Sequence, residues 1–358
     1  MLISFDSKAY LISRINRLKN KSFIFNNIGN SQLKLLGARS GPQSFVSDLI
    51  NVIDENNYAR TTFNFLTSDI HLLNSGSYSK IWKYLKPKTK KRIILRLDGI
   101  GIDSNNQTNN NITKQNISRL IEKSENIIYQ TEFSRNCFLN TYGNLQNGKV
   151  INNGAIEIPL INLNYEKIIR KLNFLTRSKY FVVAGRYIGR KRIKEVIEEF
   201  DKNDLGYLVV LSDVPNSLKF KNEKIIYLGM VDPLLARLII SRSKALIHFD
   251  RYDWCPNVVV WALYDGTPVI CSNYGGTPEI ASKHGLILKE FPENLPESIE
   301  GINFAKSVKF PSDLFVENIL DFNKSNIKEF SDKNFSMKKT ALKYLNYMNK
   351  VLSENTIL

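Results

Sequence analysis

Segments with the apolar pattern of β-strands alternate with segments of helical periodicity along most of the chain. In the first half, candidate strands cover residues 32–39, 61–67, 69–75, 92–99, 126–131 and 149–154, and candidate helices cover 42–55, 78–86, 113–125 and 133–143. The segment 103–116 is polar and repetitive, and it is predicted to be a loop. Such alternation is typical of a parallel sheet with helices on both faces.

The same alternation restarts in the second half. Candidate strands there cover residues 180–186, 206–212, 224–229, 245–250 and 268–273, and candidate helices cover 191–200, 233–242, 257–266 and 277–285. A chain of 358 residues is long enough for about two domains. The sequence therefore predicts an α/β protein with two doubly wound, Rossmann-like domains, and a ligand cleft between the carboxyl ends of facing strands.

The predicted domain boundaries lie where the alternation of candidate strands and helices is interrupted. The predicted divisions are an N-terminal domain over 1–154 (with 1–30 as an unplaced extension), a linker with one helix over 155–179, a C-terminal domain over 180–334 and a final helix over 335–358. That amphipathic helix could end the second domain or cross back onto the first.

The excess of basic over acidic residues favours an anionic binding partner. Lys plus Arg number 50 against 34 for Asp plus Glu, a net charge of +16, which favours nucleic acid, anionic lipid or a phosphorylated substrate. No helix-turn-helix, RNP-like or zinc pattern supports nucleic acid. A solvated basic surface and a patch facing a membrane are equally good readings of the remaining charge.

The chain lacks the sequence signals of export or membrane insertion. No uncharged apolar run is long enough to span a bilayer, and the N-terminus has no signal-peptide centre. Cys137, Cys255 and Cys271 match no metal spacing, and neither do the three scattered histidines. His71 and His248 lie within apolar strand patterns and are predicted to be core residues. We expect a cytoplasmic protein, which could sit at the inner face of the membrane.

Three segments of the second domain could bind an anion. Arg186 follows a strand and Lys191 begins a helix, so both could hold phosphate oxygens, although two solvated basic residues would look the same. Asn257 is a candidate N-cap that would leave the amides of residues 257–259 free, and Asp253 could accept hydrogen bonds from ligand hydroxyls. The paired glycines Gly275 and Gly276 allow close backbone approach. For the Asp253 segment the alternative is an ordinary surface loop with a capped helix, and for the glycine pair it is a strand-to-helix turn.

The first domain offers weaker signals. Gly37 and Gly41 bracket a tight loop, but it has neither the dinucleotide nor the P-loop spacing. Asp98 in "RLDG" could orient an acceptor hydroxyl or act as a base, and it could equally cap a turn.

Taken in order, these segments resemble the GT-B glycosyltransferases of family GT4. The resemblance rests on Arg186 and Lys191, the loop and helix from Asp253 to Trp261, "GTPVI" and "GGTPE", together with "RLDG", "IIYQTEFSR" and "VINNGA" in the first domain. It implies a GT-B fold and a retaining glycosyltransferase that uses a nucleotide-diphosphate sugar, with a glycan or lipid-linked acceptor. No cofactor is implied.

The resemblance also implies a set of site residues. Asp98, Arg186 and Lys191 are the expected catalytic residues, and the absence of an Asp-x-Asp motif in a suitable loop indicates that no metal assists the leaving diphosphate. The expected donor-binding residues are Gly37, Gly41, Arg186, Lys191, Asp253, Trp254, Cys255, Pro256, Asn257, Val258, Trp261, Gly275, Gly276 and Glu279.

Two positions depart from the family pattern of Glu-x7-Glu. Asp253 is shorter than the first Glu, and Trp261 replaces the second, so the family's ribose contact cannot form there. Trp261 could be a core residue, or its indole could cover the nucleotide. The same departures motivate an alternative function, a catalytically silent GT-B protein that binds a sugar or a partner protein.

Overall fold

The chain divides into two compact units. The computed structural model describes residues 1–5, 10, 11, 13, 14, 41–75, 92–99, 107–124, 126–143, 148–158, 180–289 and 322–354. Unit 1 comprises Met1–Ile156 and Met337–Leu358, and unit 2 comprises Glu157–Ser336. The predicted strand 32–39 with Gly37, the helix 78–86 and the linker helix lie outside the described residues.

Unit 1 contains one parallel six-stranded sheet in the order β2-β1-β3-β4-β5-β6. Its elements are β1 (Leu2–Phe5), α1 (Gly41–Glu55), β2 (Arg60–Thr62), β3 (Ile70–Asn74), β4 (Arg92–Arg96), α2 (Gln107–Ile121), β5 (Asn126–Tyr129), α3 (Glu132–Tyr142) and β6 (Gly148–Val150). Strand β1 corrects the sequence analysis, which left the first thirty residues unplaced. It pairs with β2 on one side and with β3 on the other.

Two helices of unit 1 show features that the sequence did not predict. Helix α2 covers residues 107–116, which were predicted to be a loop, and its buried Ile117 and Leu120 attach it to the core. Tertiary packing here outweighs the low helical propensity of the asparagines. The C-terminal helix (Met337–Glu354) packs in the core of unit 1, where Tyr344 and Met348 are completely buried together with residues of α1.

Unit 2 contains a second parallel six-stranded sheet in the order β12-β11-β10-β7-β8-β9. Its elements are β7 (Tyr180–Ala184), α4 (Ile193–Lys202), β8 (Tyr207–Leu211), β9 (Ile225–Tyr227), α5 (Pro233–Ser241), β10 (Ala245–His248), α6 (Asn257–Tyr264), β11 (Val269–Ser272), α7 (Gly276–Ala281), β12 (Gly285–Leu288) and α8 (Lys324–Asn334). The short edge strand β12 was not predicted. The α/β class and the two doubly wound sheets are confirmed.

Strand order determines which loops of unit 2 can meet. Strands β11, β10 and β7 are neighbours, and all three run parallel. The segments that follow their carboxyl ends therefore emerge at the same edge of the sheet, where α/β proteins bind ligands. Among the described residues, no helix is both long enough and apolar enough to cross a bilayer.

Candidate functional site

An ion cluster joins the loops after β7 and β10. The Nζ atom of Lys191 lies 3.0 Å from Oδ2 of Asp250 and 3.4 Å from Oδ2 of Asp253. The Nη1 atom of Arg190 lies 2.6 Å from each carboxylate oxygen of Asp250. We call these four residues the ion cluster.

Only two members of the ion cluster, Lys191 and Asp253, were predicted from the sequence. Arg190 and Asp250 were not predicted, although each lies within three residues of one of them. The Asp250 side chain is completely buried, whereas the Lys191 and Arg190 side chains are 15% and 28% exposed. A carboxylate this buried needs charged partners, and the two basic residues supply them.

Glycine at position 185 suits the positive φ of the backbone there and the passage of the Lys191 side chain. Gly185 has φ +143°, and a Cβ atom there would lie 2.9 Å from Cδ of Lys191. The backbone thus leaves room for the lysine stem to pass over the end of β7 toward Asp250.

The electrostatics keep the Asp253 carboxylate charged and the neighbouring histidine neutral. Burial favours a protonated Asp253, but the charges of Lys191 and Arg190 outweigh it and hold the pKa of Asp253 at about 2. Burial, with the charge of Lys191, lowers the pKa of His248 to about 4. His248 is 4% exposed, so the prediction of a buried strand residue is confirmed. At neutral pH His248 therefore adds no charge to the ion cluster.

His248 also lies next to the ion cluster. Its Nδ1 is 3.2 Å from Oγ1 of Thr277, and its Nε2 is 3.8 Å from Oδ2 of Asp253. Ligand atoms of His248, Asp250 and Asp253 lie within 4.8 Å of one another, so this group could hold a metal ion. Lys191 and Arg190 already supply positive charge to its carboxylates.

The glycine pair after β11 holds the Asp253 loop in place. The N–H of Gly276 donates to the carbonyl of Asp253 at 2.7 Å. A Cβ atom on Gly276 would lie 2.0 Å from the carbonyl oxygen of Trp254, and Gly275 has φ +94°. The glycine pair therefore allows the backbone to approach the loop that contains Asp253 closely, as the sequence predicts, but the contact is with this loop. Glu279, in the first turn of α7, is exposed.

The start of α6 differs by one residue from the prediction. Pro256 occupies the N-cap, and its carbonyl accepts from the N–H groups of Val259 and Val260. Asn257 is the first helical residue, so its predicted role as N-cap is wrong. Pro256 has the extended backbone angles of an N-cap residue, φ −66° and ψ 120°, and provides no side-chain cap. Cys255 and Pro256 are buried, and the half-buried residues are Trp254, Asn257 and Val258.

Trp261 is half-buried on α6. The Cζ atom of Arg237 lies 6.0 Å from its ring, and Arg237 forms a buried ion pair with Asp265 at 2.7 Å. This contact occupies part of the indole surface, and the remaining exposure is compatible with a ligand.

Arg186 and Gly41 are both exposed. Arg186 lies in the loop between β7 and α4, and its guanidinium makes no hydrogen bond or ion pair with the residues that the structure describes. Gly41 begins α1. Gly37 has no described position.

Asp98 follows β4 in unit 1 and belongs to a buried polar network. Its Oδ1 forms an ion pair with Nη1 of Arg96 and accepts a hydrogen bond from Nε2 of Gln130 at 3.2 Å. The Asp98 side chain is 4% exposed, and the Arg96 side chain is 1% exposed. This geometry favours a structural role in unit 1, and a catalytic role for Asp98 stays a prediction.

Comparisons with known proteins support the family resemblance. Residues 164–303 match the family described as "Glycosyl transferases group 1". This segment contains the whole ion cluster. No curated protein sequence matches the chain.

Solved structures match over nearly the whole chain at low identity. Anabaena HepE in complex with UDP is 13% identical with a TM-score of 0.61, and covers 98% of this chain and 99% of its own. A glycosyltransferase from Rickettsia africae is 15% identical with a TM-score of 0.60, covering 98% of each chain. Sucrose-phosphate synthase from Thermosynechococcus elongatus is 14% identical with a TM-score of 0.59, covering 89% of this chain and 82% of its own.

These neighbours are GT-B glycosyltransferases, so the predicted GT-B fold is confirmed. The family match and the neighbours together support a glycosyltransferase. A GT4-like assignment is consistent with them, and the modified Glu-x7-Glu motif stays a prediction.

Proposed function

We propose that this chain moves a sugar, with retention of anomeric configuration, from a nucleotide-diphosphate sugar to a hydroxyl of a glycan or lipid-linked acceptor. The observation that carries the proposal is the ion cluster within the group 1 segment. A departing diphosphate is stabilised by fixed positive charge, which Lys191 and the nearby Arg186 can supply. Asp253 can accept hydrogen bonds from sugar hydroxyls. Retention rests on the resemblance to GT4.

We propose further that no metal is needed. Lys191 and Arg190 already compensate the carboxylates that a metal would otherwise bind. Transfer should therefore continue in the presence of EDTA, and a return of activity only with Mg²⁺ or Mn²⁺ would contradict this.

A thermal-shift screen against nucleotides and nucleotide sugars tests the donor class. Complexes of Anabaena HepE with UDP and with UDP-glucose make uridine nucleotides the first to try. A bound nucleotide should stabilise the protein by about 2.7 kcal/mol at a hundredfold excess over its Kd. Hydrolysis or transfer assays, with NMR of the product anomer, then test turnover and retention.

The catalytically silent alternative rests on Asp253 and Trp261, which depart from the family pattern. It predicts stabilisation by a sugar or nucleotide without any turnover. Detectable hydrolysis or transfer with any nucleotide sugar would exclude it.

We propose a peripheral contact with an anionic membrane, where a lipid-linked acceptor would lie. Leu218 and Phe220 are 45% and 36% exposed, and Lys219 and Lys221 stand beside them in sequence. Apolar and basic side chains together suit an anionic lipid surface. Binding to phosphatidylglycerol vesicles but not to phosphatidylcholine vesicles, and its loss in Phe220→Ser, would support this.

A further inference from the structure

The sheet register of unit 1 places Lys149 beside the C-terminal helix. Lys149 on the edge strand β6 pairs with Ile128 of β5, and side chains of paired residues lie on the same face of a sheet. Ile128 belongs to the core that the C-terminal helix covers. The Oη atom of Tyr347 on this helix lies 3.5 Å from the carbonyl oxygen of Ile127. The helix therefore lies across β5, and Lys149 is on the same side of the sheet.

Two lysines of the C-terminal helix lie near Lys149. Lys339 and Lys343 are four positions apart, so they occupy the same face of the helix, and both are exposed. Partial burial lowers the pKa of Lys343, and the charges of Lys149 and Lys339 lower it further. The three ammonium groups are thus close enough to repel one another. We call Lys149, Lys339 and Lys343 the lysine cluster.

The lysine cluster has no carboxylate to compensate it. Within the described part of the chain, no acidic group forms an ion pair with any of its members. The one acidic residue of the C-terminal helix, Glu354, pairs with Lys350 at 3.4 Å. Lys339 also lies in the first turn of the helix, as does Lys338, and the helix dipole disfavours cations there. A bound anion would offset both the mutual repulsion and the unfavourable position in the helix.

We propose that the lysine cluster is a binding site for a phosphate group that carries two or more negative charges, such as a diphosphate or a phosphate monoester. A carboxylate or a phosphate diester carries a single charge and would leave most of the repulsion in place. Lysine binds phosphate as a point charge, and three lysines from two elements surround one position without needing a fixed fork geometry. The lysine cluster belongs to unit 1 and the ion cluster to unit 2, so this inference does not depend on the proposed function.

The test measures how fast each lysine of the wild-type protein is acetylated by N-hydroxysuccinimidyl acetate, with mass spectrometry of the peptides. The reagent consumes the neutral amine, and a bound dianion favours the ammonium form. At constant ionic strength, sodium pyrophosphate should slow labelling of the lysine cluster about tenfold, because a close opposite charge shifts a pKa by about one unit or more. Lys350, which already pairs with Glu354, should keep its rate.

Vesicles distinguish the two sources of such a group. Phosphatidic acid carries a phosphate monoester, and phosphatidylglycerol carries a diester of single charge. Protection by soluble pyrophosphate identifies a dissolved phosphorylated molecule as the ligand. Protection by phosphatidic acid vesicles alone, without protection by phosphatidylglycerol vesicles, identifies a lipid head group. Equal protection by both kinds of vesicle, without protection by pyrophosphate, would show a general attraction to anionic surfaces and would overturn the inference.

Two variants of the same helix provide the matched comparison. Lys343→Gln removes one charge of the lysine cluster and should raise about fivefold the concentration of the protecting probe that half-protects Lys149 and Lys339. Lys350→Gln removes an equal charge from an exposed pair and should leave that concentration unchanged. The inference is wrong if no probe protects the lysine cluster, if Lys350 is protected equally, or if Lys343→Gln behaves as wild type. These outcomes leave the proposed function unaffected, since the nucleotide screen tests that separately.

Discussion

Replacement of Asp98 separates a structural role from a catalytic one. The partner of its carboxylate, Arg96, is completely buried in unit 1. Arg96 also donates to Oη of Tyr344 at 3.1 Å, to Oδ1 of Asn153 at 2.6 Å and to Oδ1 of Asn74 at 3.5 Å. In the variant Asp98→Ala these three neutral acceptors remain, but the negative charge that compensates the guanidinium is lost.

The expected cost follows from this geometry. Removing one partner of a buried ion pair typically costs about 3–5 kcal/mol, because a charge is left uncompensated. We expect the lower end for Asp98→Ala, since Arg96 keeps three hydrogen bonds and its Cζ lies 4.3 Å from the Phe45 ring centroid. Asp98→Asn retains an acceptor for Arg96 and should lose about 1–2 kcal/mol, the difference between a charged and a neutral hydrogen bond.

Urea denaturation followed by far-ultraviolet circular dichroism measures the loss, and initial rates of transfer are measured on the same samples. The control Asp204→Asn breaks the exposed ion pair with Lys224 and should leave the urea midpoint nearly unchanged. The structural reasoning is refuted if Asp98→Ala unfolds at the wild-type urea concentration. If such a stable variant also loses turnover while keeping its affinity for the donor, Asp98 is catalytic, as the sequence suggested.

Three further predictions concern the donor site and the buried histidines. Arg186→Ala should lower turnover about a hundredfold, or about 3 kcal/mol, with an unchanged melting temperature, and near-normal transfer rates would exclude a role in charge stabilisation. Trp261→Ala should weaken nucleotide binding by about 1–3 kcal/mol if the indole stacks on the ligand. A large drop in melting temperature would instead identify Trp261 as a core residue. Trp261→Glu should stay folded and bind a nucleotide sugar at least as tightly as the wild-type protein does. Burial lowers the pKa of His71 to about 3 and of His248 to about 4, so the unfolded chain binds protons first as pH falls below about 6.5. Each histidine should therefore cost about 2 kcal/mol of stability at pH 5, and equal denaturation midpoints at pH 7 and pH 5 would contradict this.

Local patterns predicted most elements of the fold but not those that depend on tertiary pairing. The helix over 42–55 was recognisable because its apolar residues recur every three to four positions, and the structure places α1 at Gly41–Glu55. Strand β1 has only four residues, and an apolar run this short does not distinguish a strand from part of a helix. Its position between β2 and β3 comes from sheet pairing with residues about sixty positions away.

The dependence on tertiary contacts also explains which residues of the ion cluster could be predicted from the sequence. Lys191 and Asp253 lie in motifs whose order resembles a known family. The ion pair of Arg190 with Asp250 can be recognised only from the tertiary structure, where the loops after β7 and β10 come together. The contact between these two loops changes the expected roles of the basic residues. Lys191 and Arg190 are already compensated by carboxylates, while Arg186 in the same loop is exposed and unpaired among the described residues. Long-range attraction of a diphosphate should thus depend on Arg186.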